Sequence, residues 1–268
     1  MSRLPCELLD HIVDFLHDSQ TPLRSCCLVS KSWVPRARTH LFAEVRFQTT
    51  KSLESWKKTF PDPSTSPACY AKTLFIYLPQ VIMVADGEAG CWVTGFPHVV
   101  HLMIGGCGQQ GVSHGWRDTF ALFRGISPVV ESLRVDSVLL QSSQLFDLIL
   151  SFPLLRDLSV TGCCHLPAGP DEDEDPNGPS TPAQPPSSLR FTGLLELDMR
   201  GEMEPIARQL LSLSGDMRFR KLTLRLPCEE DIPLAMALAE RCSHTLESLD
   251  ITYDNLRGMF VTSEFACK

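Results

Sequence analysis

Leu4, Leu8, Ile12, Phe15 and Leu16 recur at steps of three and four, and Glu7, Asp10, His11, Asp14 and Asp18 fill positions between them. That spacing predicts an amphipathic helix. Ser2 or the Leu4-Pro5 step can start it, since proline suits a first helical turn and early acids suit the positive helix end. The pattern fails near His17, where Asp18 to Pro22 predicts a turn. A second short apolar segment runs from Leu23 to Val29, and Ser30 is expected to cap a third helix carrying Trp33, Ala37 and Leu41, with Pro35 near its start. Helices this short enclose little core, so part of their apolar surface must find a partner outside the module.

Beyond a Pro/Ser loop at Pro61 to Pro67 the periodicity changes to apolar-x-x-Leu-x-apolar. The copies are Ala71/Leu74/Ile76, Val99/Leu102/Ile104, Val130/Leu133/Val135, Leu155/Leu158/Val160, Leu194/Leu197/Met199, Phe219/Leu222/Leu224 and Leu246/Leu249/Ile251. Anchored on the central leucine, the intervals are 28, 31, 25, 39, 25 and 27 residues. The long interval contains 167–188, a Pro-rich acidic stretch too poor in apolar side chains to offset its ordering entropy, and it reads as a disordered insertion. Each triplet alternates as a short strand should. Helical stretches are predicted between the copies, over Trp116 to Ile126, Ser143 to Phe152, Pro205 to Ser214 and Glu229 to Cys242. Right-handed crossovers would return every strand parallel to the last.

This repeating region resembles a leucine-rich-repeat domain, whose period is about 20 to 29 residues. No terminal cap is obvious after Ile251, and the pattern does not decide whether the chain is complete at that end. The amino-terminal string Leu4-Pro5-Cys6-Glu7-Leu8-Leu9, then Ile12, Phe15-Leu16, Leu23 and Leu28-Val29-Ser30-Lys31-Ser32-Trp33, resembles the F-box motif. The resemblance implies a three-helix module that docks on a Skp-type adaptor and, through a cullin and a RING protein, joins an SCF ubiquitin ligase. Carried over by position, it implies adaptor contacts at Leu4, Pro5, Leu8, Leu9, Ile12, Phe15, Leu16, Leu28, Val29 and Trp33. The expected architecture is α/β: an F-box over 1–45, a linker or first connecting segment over 46–69, and an irregular leucine-rich-repeat solenoid over 70–268, with parallel strands and outer helices.

Composition narrows the chemistry. Hydrophobic residues make up 43% of the 268-residue chain and charged residues 21%, which excludes wholesale disorder. The formal charge is -8, but Asp171 to Asp175 contribute five negatives in one run, leaving no electrostatic footprint for nucleic acid elsewhere. Eleven cysteines without a CxxC pair argue against a disulfide scaffold or zinc ribbon. Glu7 and Asp10 stand where a signal peptide needs an apolar core, and no uncharged apolar run is long enough to span a membrane. A reduced cytosolic or nuclear protein is expected.

Gly106-Cys107-Gly108-Gln109-Gln110-Gly111 has the GxGxxG spacing of a dinucleotide loop. A phosphate cradle needs a helix opening at these glycines, and Val112 to Gly115 intervenes. The repeat accounts for the same residues, since Leu102-x-Ile104-x-x-Cys107 and Leu158-x-Val160-x-x-Cys163 both fit its strand-to-turn step. Cys163-Cys164-His165 has no second ligand pair for zinc. His98 and His101 are expected on the surface, and no HExxH or GxSxG occurs. No catalytic residue, cofactor or metal is expected.

Residues alternating with the buried leucines would face the concave side: Met103, Arg134, Ser159, Asp198, Thr223 and Asp250, with Gly105, Asp136, Thr161, Arg200, Arg225 and Thr252 beside them. Candidate target contacts are Met103, Arg134, Asp136, Asp198, Arg200, Arg225 and Asp250. Their charges are mixed and no aromatic cluster appears, so the stripe reads equally as a solvated face. The expected role is substrate receptor of an SCF-type ligase, binding the adaptor through the helices and an unidentified target protein through the repeats. The alternatives are a scaffold that binds the adaptor without delivering a target, and an enzyme using the loop Gly106 to Gly111.

Overall fold

The computed structural model describes residues 5–77, 92, 95–106, 123, 126, 128–140, 142–165, 191–199, 204–213, 217–226, 228–255 and 259–266. The apolar alternation becomes ten strands: β1 Glu44–Phe47, β2 Thr73–Tyr77, β3 His101–Gly105, β4 Ser132–Asp136, β5 Leu139–Leu140, β6 Asp157–His165, β7 Leu194–Met199, β8 Lys221–Leu226, β9 Ser248–Asn255 and β10 Met259–Ala266. Along the sheet the order is β1-β2-β3-β4-β6-β7-β8-β9-β10, with β5 paired to β6. β1 through β9 along that path are eight parallel strands, and β10 returns antiparallel to β9. Among the described residues seven helices accompany them: α1 Cys6–Phe15, α2 Gln20–Val29, α3 Val34–Leu41, α4 Thr50–Thr59, α5 Ser142–Leu150, α6 Glu204–Ser212 and α7 Ile232–Arg241. Among the described residues no helix is long and apolar enough to cross a membrane.

Two rows of apolar side chains run across the sheet and hold it together. Leu74, Leu102, Leu133, Leu158, Leu195 and Leu222 stand in register and are fully buried, as are Ile76, Ile104, Val135, Val160, Leu197 and Leu224 one step along. Each buried leucine contributes about 1.5–3 kcal/mol by removal from water. Helices α5, α6 and α7 press Leu145, Ile149, Ile206, Leu210, Ala235 and Leu238 into the same core. Phe96, Phe123, Phe152, Phe191 and Phe219, each upstream of a strand, are also fully buried, and Phe191 stacks on Phe219 at 5.0 Å. Gly162 adopts φ +61° where the β6–β7 register shifts between Thr161 and Cys163, a bulge that wants a residue without Cβ.

The register corrects one repeat. Leu195, not Leu197, aligns with Leu158 and Leu222, which makes the next two intervals equal at 27 residues. Leu195 and Leu197 share a face, so apolar alternation alone cannot choose between them, whereas the backbone ladder can. The segment over 46–69, expected as a linker or first connecting segment, contains regular structure. β1 pairs with β2, and Val45, Phe47 and Leu53 belong to the main core. α4 opens with a capping box in which Ser52 N–H donates to Thr49 Oγ1 at 3.1 Å and Thr49 N–H to Ser52 Oγ at 3.2 Å. Between 46 and 69 only 48–49 and 60–66 lie outside β1, α4 and a 3-10 turn at Pro67–Tyr70.

Three of the four inter-strand helices fall where expected, the last preceded by a 3-10 turn at Glu229–Asp231. The helix expected over Trp116 to Ile126 and the insertion at 167–188 lie outside the described residues, except for buried Phe123 and Ile126. β10 has no counterpart in the apolar repeat.

The first three helices form a separate small core of Val13, Leu23, Cys26 and Ala37, with Leu16, Cys27, Trp33 and Leu41 packed against it. Ser30 does not cap the third helix. It is the C-cap of α2 and its hydroxyl accepts from Ser32 N–H at 3.3 Å, while α3 begins at Val34 with Pro35 in its first turn, where the missing N–H costs nothing.

Candidate functional site

Helix α1 carries two apolar stripes rather than one. Val13 is buried, and Leu9 and Leu16 are partly so, whereas Pro5, Leu8, Ile12 and Phe15 remain exposed. Both sets follow the three-and-four spacing, so one lies inward and the other outward on the same helix. On α2, Leu23 and Cys26 turn inward and leave Leu28 and Val29 outside. Phe15, Leu28 and Val29 are 85%, 89% and 68% exposed. Five of the eight large exposed apolar side chains among the described residues fall on these two helices, so the exposure is concentrated rather than scattered.

The ten positions singled out from sequence therefore separate. Pro5, Leu8, Ile12, Phe15, Leu28 and Val29 are outward, Leu9 is intermediate, and Leu16 and Trp33 pack against the helical core. Leu4 lies outside the described residues. Val13 was the missed anchor, although its spacing from Leu9 and Leu16 was there to be read.

An ion cluster fixes α1 against α3. Arg36 donates from Nε and Nη2 to the two Asp14 oxygens at 2.5 and 2.6 Å, and His40 Nε2 lies 2.7 Å from Asp14 Oδ1. Since the carboxylate can only accept, the His40 proton sits on Nε2. The Arg36 guanidinium, with His40 beside it, holds the Asp14 carboxyl well below the usual carboxylate range. Asp14 thus locks α1, which carries three of the exposed apolar residues, to α3, a role not legible from its place on a polar helix face.

On the sheet, the face opposite the buried leucines carries two rows of mostly half-buried residues, with Gly105, Ser159 and Thr161 buried. One runs Phe75, Met103, Arg134, Ser159, Glu196, Thr223, Asp250, and the other Tyr77, Gly105, Asp136, Thr161, Asp198, Arg225, Thr252. The candidates Met103, Arg134, Asp136, Arg225 and Asp250 fall in their expected rows. Asp198 moves to the second row and Glu196 takes its place in the first, because the β7 register is two residues from the one expected. Arg200 lies outside the described residues. Asp198 accepts from Arg225 Nη1 at 3.3 Å, Glu196 from Ser159 Oγ at 2.6 Å, and Asp136 from Thr161 Oγ1 at 3.1 Å. Phe75 and Tyr77 were missed. They hold the same offsets in the first repeat copy that Met103 and Gly105 hold in the second.

A further apolar cavity of about 370 Å³ lies on the helix side of the sheet, lined by Leu226, Glu229, Ile232, Ala235, Met236, Ile251 and Tyr253. Of the loop Gly106 to Gly111 only Gly106 is described, and its N–H donates to the Asp136 carbonyl at 2.9 Å, which commits that amide to the sheet. His98 and His101 are exposed, and Cys163, Cys164 and His165 stand in β6. Among the described residues no group of three or more His, Cys, Asp or Glu side chains is placed to hold a metal ion.

No protein-family model matches the chain, and neither the curated proteins nor the solved structures contain a significant match.

Proposed function

We propose that the chain is a substrate-recognition subunit of an SCF-type ubiquitin ligase, with 1–45 acting as an F-box and the parallel sheet as an irregular leucine-rich-repeat solenoid. One observation carries the reading: the outward sides of α1, bearing Leu8, Ile12 and Phe15, and of α2, bearing Leu28 and Val29, are exposed, while a different set of side chains already fills the helical core. Such a face is the unfinished half of an interface. It coincides with the residues that resemble the F-box motif, and the resemblance supplies the partner, a Skp-type adaptor that links to cullin and RING proteins. The half-buried sheet face would receive the target protein. The subunit performs no bond chemistry, and its contribution is proximity, holding a target lysine near the charged conjugating enzyme. Its working compartment would be the cytoplasm or nucleus.

Capture of a purified Skp-type adaptor by the full chain tests this directly. Ile12→Glu and Phe15→Glu should each abolish capture by placing an unpaired charge in an apolar contact, with the melting curve unchanged because both side chains are exposed. Equal capture by wild type and both variants would overturn the assigned face. Adaptor binding without ubiquitination of any co-purified protein would favour the scaffold alternative.

A further inference from the structure

The β2–β4 end of the open sheet face differs from the rest. Phe75 lies in register with Met103 and Met103 with Arg134, while Tyr77 lies beside Gly105. A Cβ on Gly105 would stand 3.2 Å from Phe75 Cζ and 3.3 Å from Tyr77 Cδ2, so the two rings lean across a glycine floor. Arg134 borders this apolar shelf. Its Nε is buried and makes no hydrogen bond, and no carboxylate among the described residues pairs with it. Of the acids that the register brings to the same face, Asp136 accepts from the Thr161 and Ser137 hydroxyls, Glu196 from Ser159 and Asp198 from Arg225, while Asp250 lies four strands away on β9. An arginine nitrogen buried without an acceptor is costly, and an oxyanion supplied from outside to the same guanidinium offsets part of that cost through charge-assisted hydrogen bonds.

We propose that this end of the sheet is a subsite for an extended peptide segment of the target, in which an oxyanion engages Arg134 and a neighbouring apolar side chain lies on Phe75, Tyr77 and Met103. The inference rests on the reading of this face as the target-binding one. It adds the chemistry of the bound segment, acidic and apolar side by side. Farther along the sheet Arg225 already has Asp198, so the same chemistry is not offered there.

The test uses the full chain and phage-displayed random dodecapeptides as the probe. Wild type should enrich peptides with an acidic residue next to an aromatic or aliphatic one. A synthetic peptide of the enriched sequence should lose about ten-fold in affinity when its acidic residue becomes Gln, and similarly on Arg134→Gln, the loss expected for a charge-assisted hydrogen bond. Met103→Glu serves as a second variant, because it supplies a carboxylate beside Arg134 from within the chain and should also remove the acidic preference. Comparing Glu with phosphoserine at the acidic position separates carboxylate from phosphate as the oxyanion, and tighter binding of either supports the subsite. Enrichment of no peptides, enrichment without acidic residues, or equal binding by wild type and Arg134→Gln would overturn it. Adaptor capture by the same variants should stay intact. Peptide binding without adaptor capture would overturn the ligase reading and leave the subsite standing, while adaptor capture without the acidic preference would overturn the subsite alone.

Discussion

Cys228 shows how one contact sets a side chain's chemistry. Its thiol donates to Asp231 Oδ2 at 2.9 Å, and that carboxylate pushes the Cys228 thiol up to about 11. Since the thiolate is the nucleophile, Cys228 should resist alkylation at neutral pH, and Asp231→Asn should speed its labelling, which mass spectrometry of iodoacetamide-treated protein would measure. Asp14 gives the opposite sign. Its folded-state carboxyl sits below the ordinary value, so the stabilisation from Arg36 and His40 is fully present above the unfolded-state value of about 3.9 and is lost as pH falls below it. Helicity of the amino-terminal cluster should therefore fall in that acid range. Asp14→Asn should lower its melting temperature at pH 7 and flatten that pH dependence, as read by circular dichroism.

At the scale of elements, α1 and α2 separate positions that hold the module together from positions that face outward. Leu23 is fully buried in a core of few members, and Leu23→Ala should destabilise the helical cluster by about 2–5 kcal/mol. Phe15→Ser and Leu28→Ser remove side chains exposed to water, so their denaturation midpoints should match wild type. Urea titration of the three variants decides this, and a Phe15→Ser destabilisation as large as that of Leu23→Ala would mean that the outward stripe is covered. The periodicity of α1 was legible from spacing, but its two stripes obey the same period. Which one turns inward depends on where α2 and α3 pack.

For the whole molecule, the helical core and the sheet core are distinct sets of side chains, and most sheet contacts link neighbouring strands. Loss of the small core should leave the large one standing. Hydrogen exchange on Leu23→Ala should show amide protection lost from α1 to α3 and retained in β3 and β4. Leu158→Ala, at a fully buried position in the middle of the sheet, should weaken the sheet by about 2–5 kcal/mol without exposing the amides of α1. Parallel loss of protection in both regions would show instead that the chain unfolds as one unit.

Sequence by itself determined the apolar rows, because a side chain that alternates along a strand must be buried on one face, and it determined three short helices too small to enclose all their apolar surface. It could not decide the β7 register, since Leu195 and Leu197 present the same pattern to the core. Nor could it assign 44–47 to the sheet, because β1 is four residues long and its partner β2 begins 26 residues later, after α4 and the proline-rich loop. The Asp14–Arg36–His40 lock and the buried, unbonded Nε of Arg134 next to Met103 also required the tertiary structure. Each depends on side chains from different elements meeting in space, and local periodicity carries no information about that meeting.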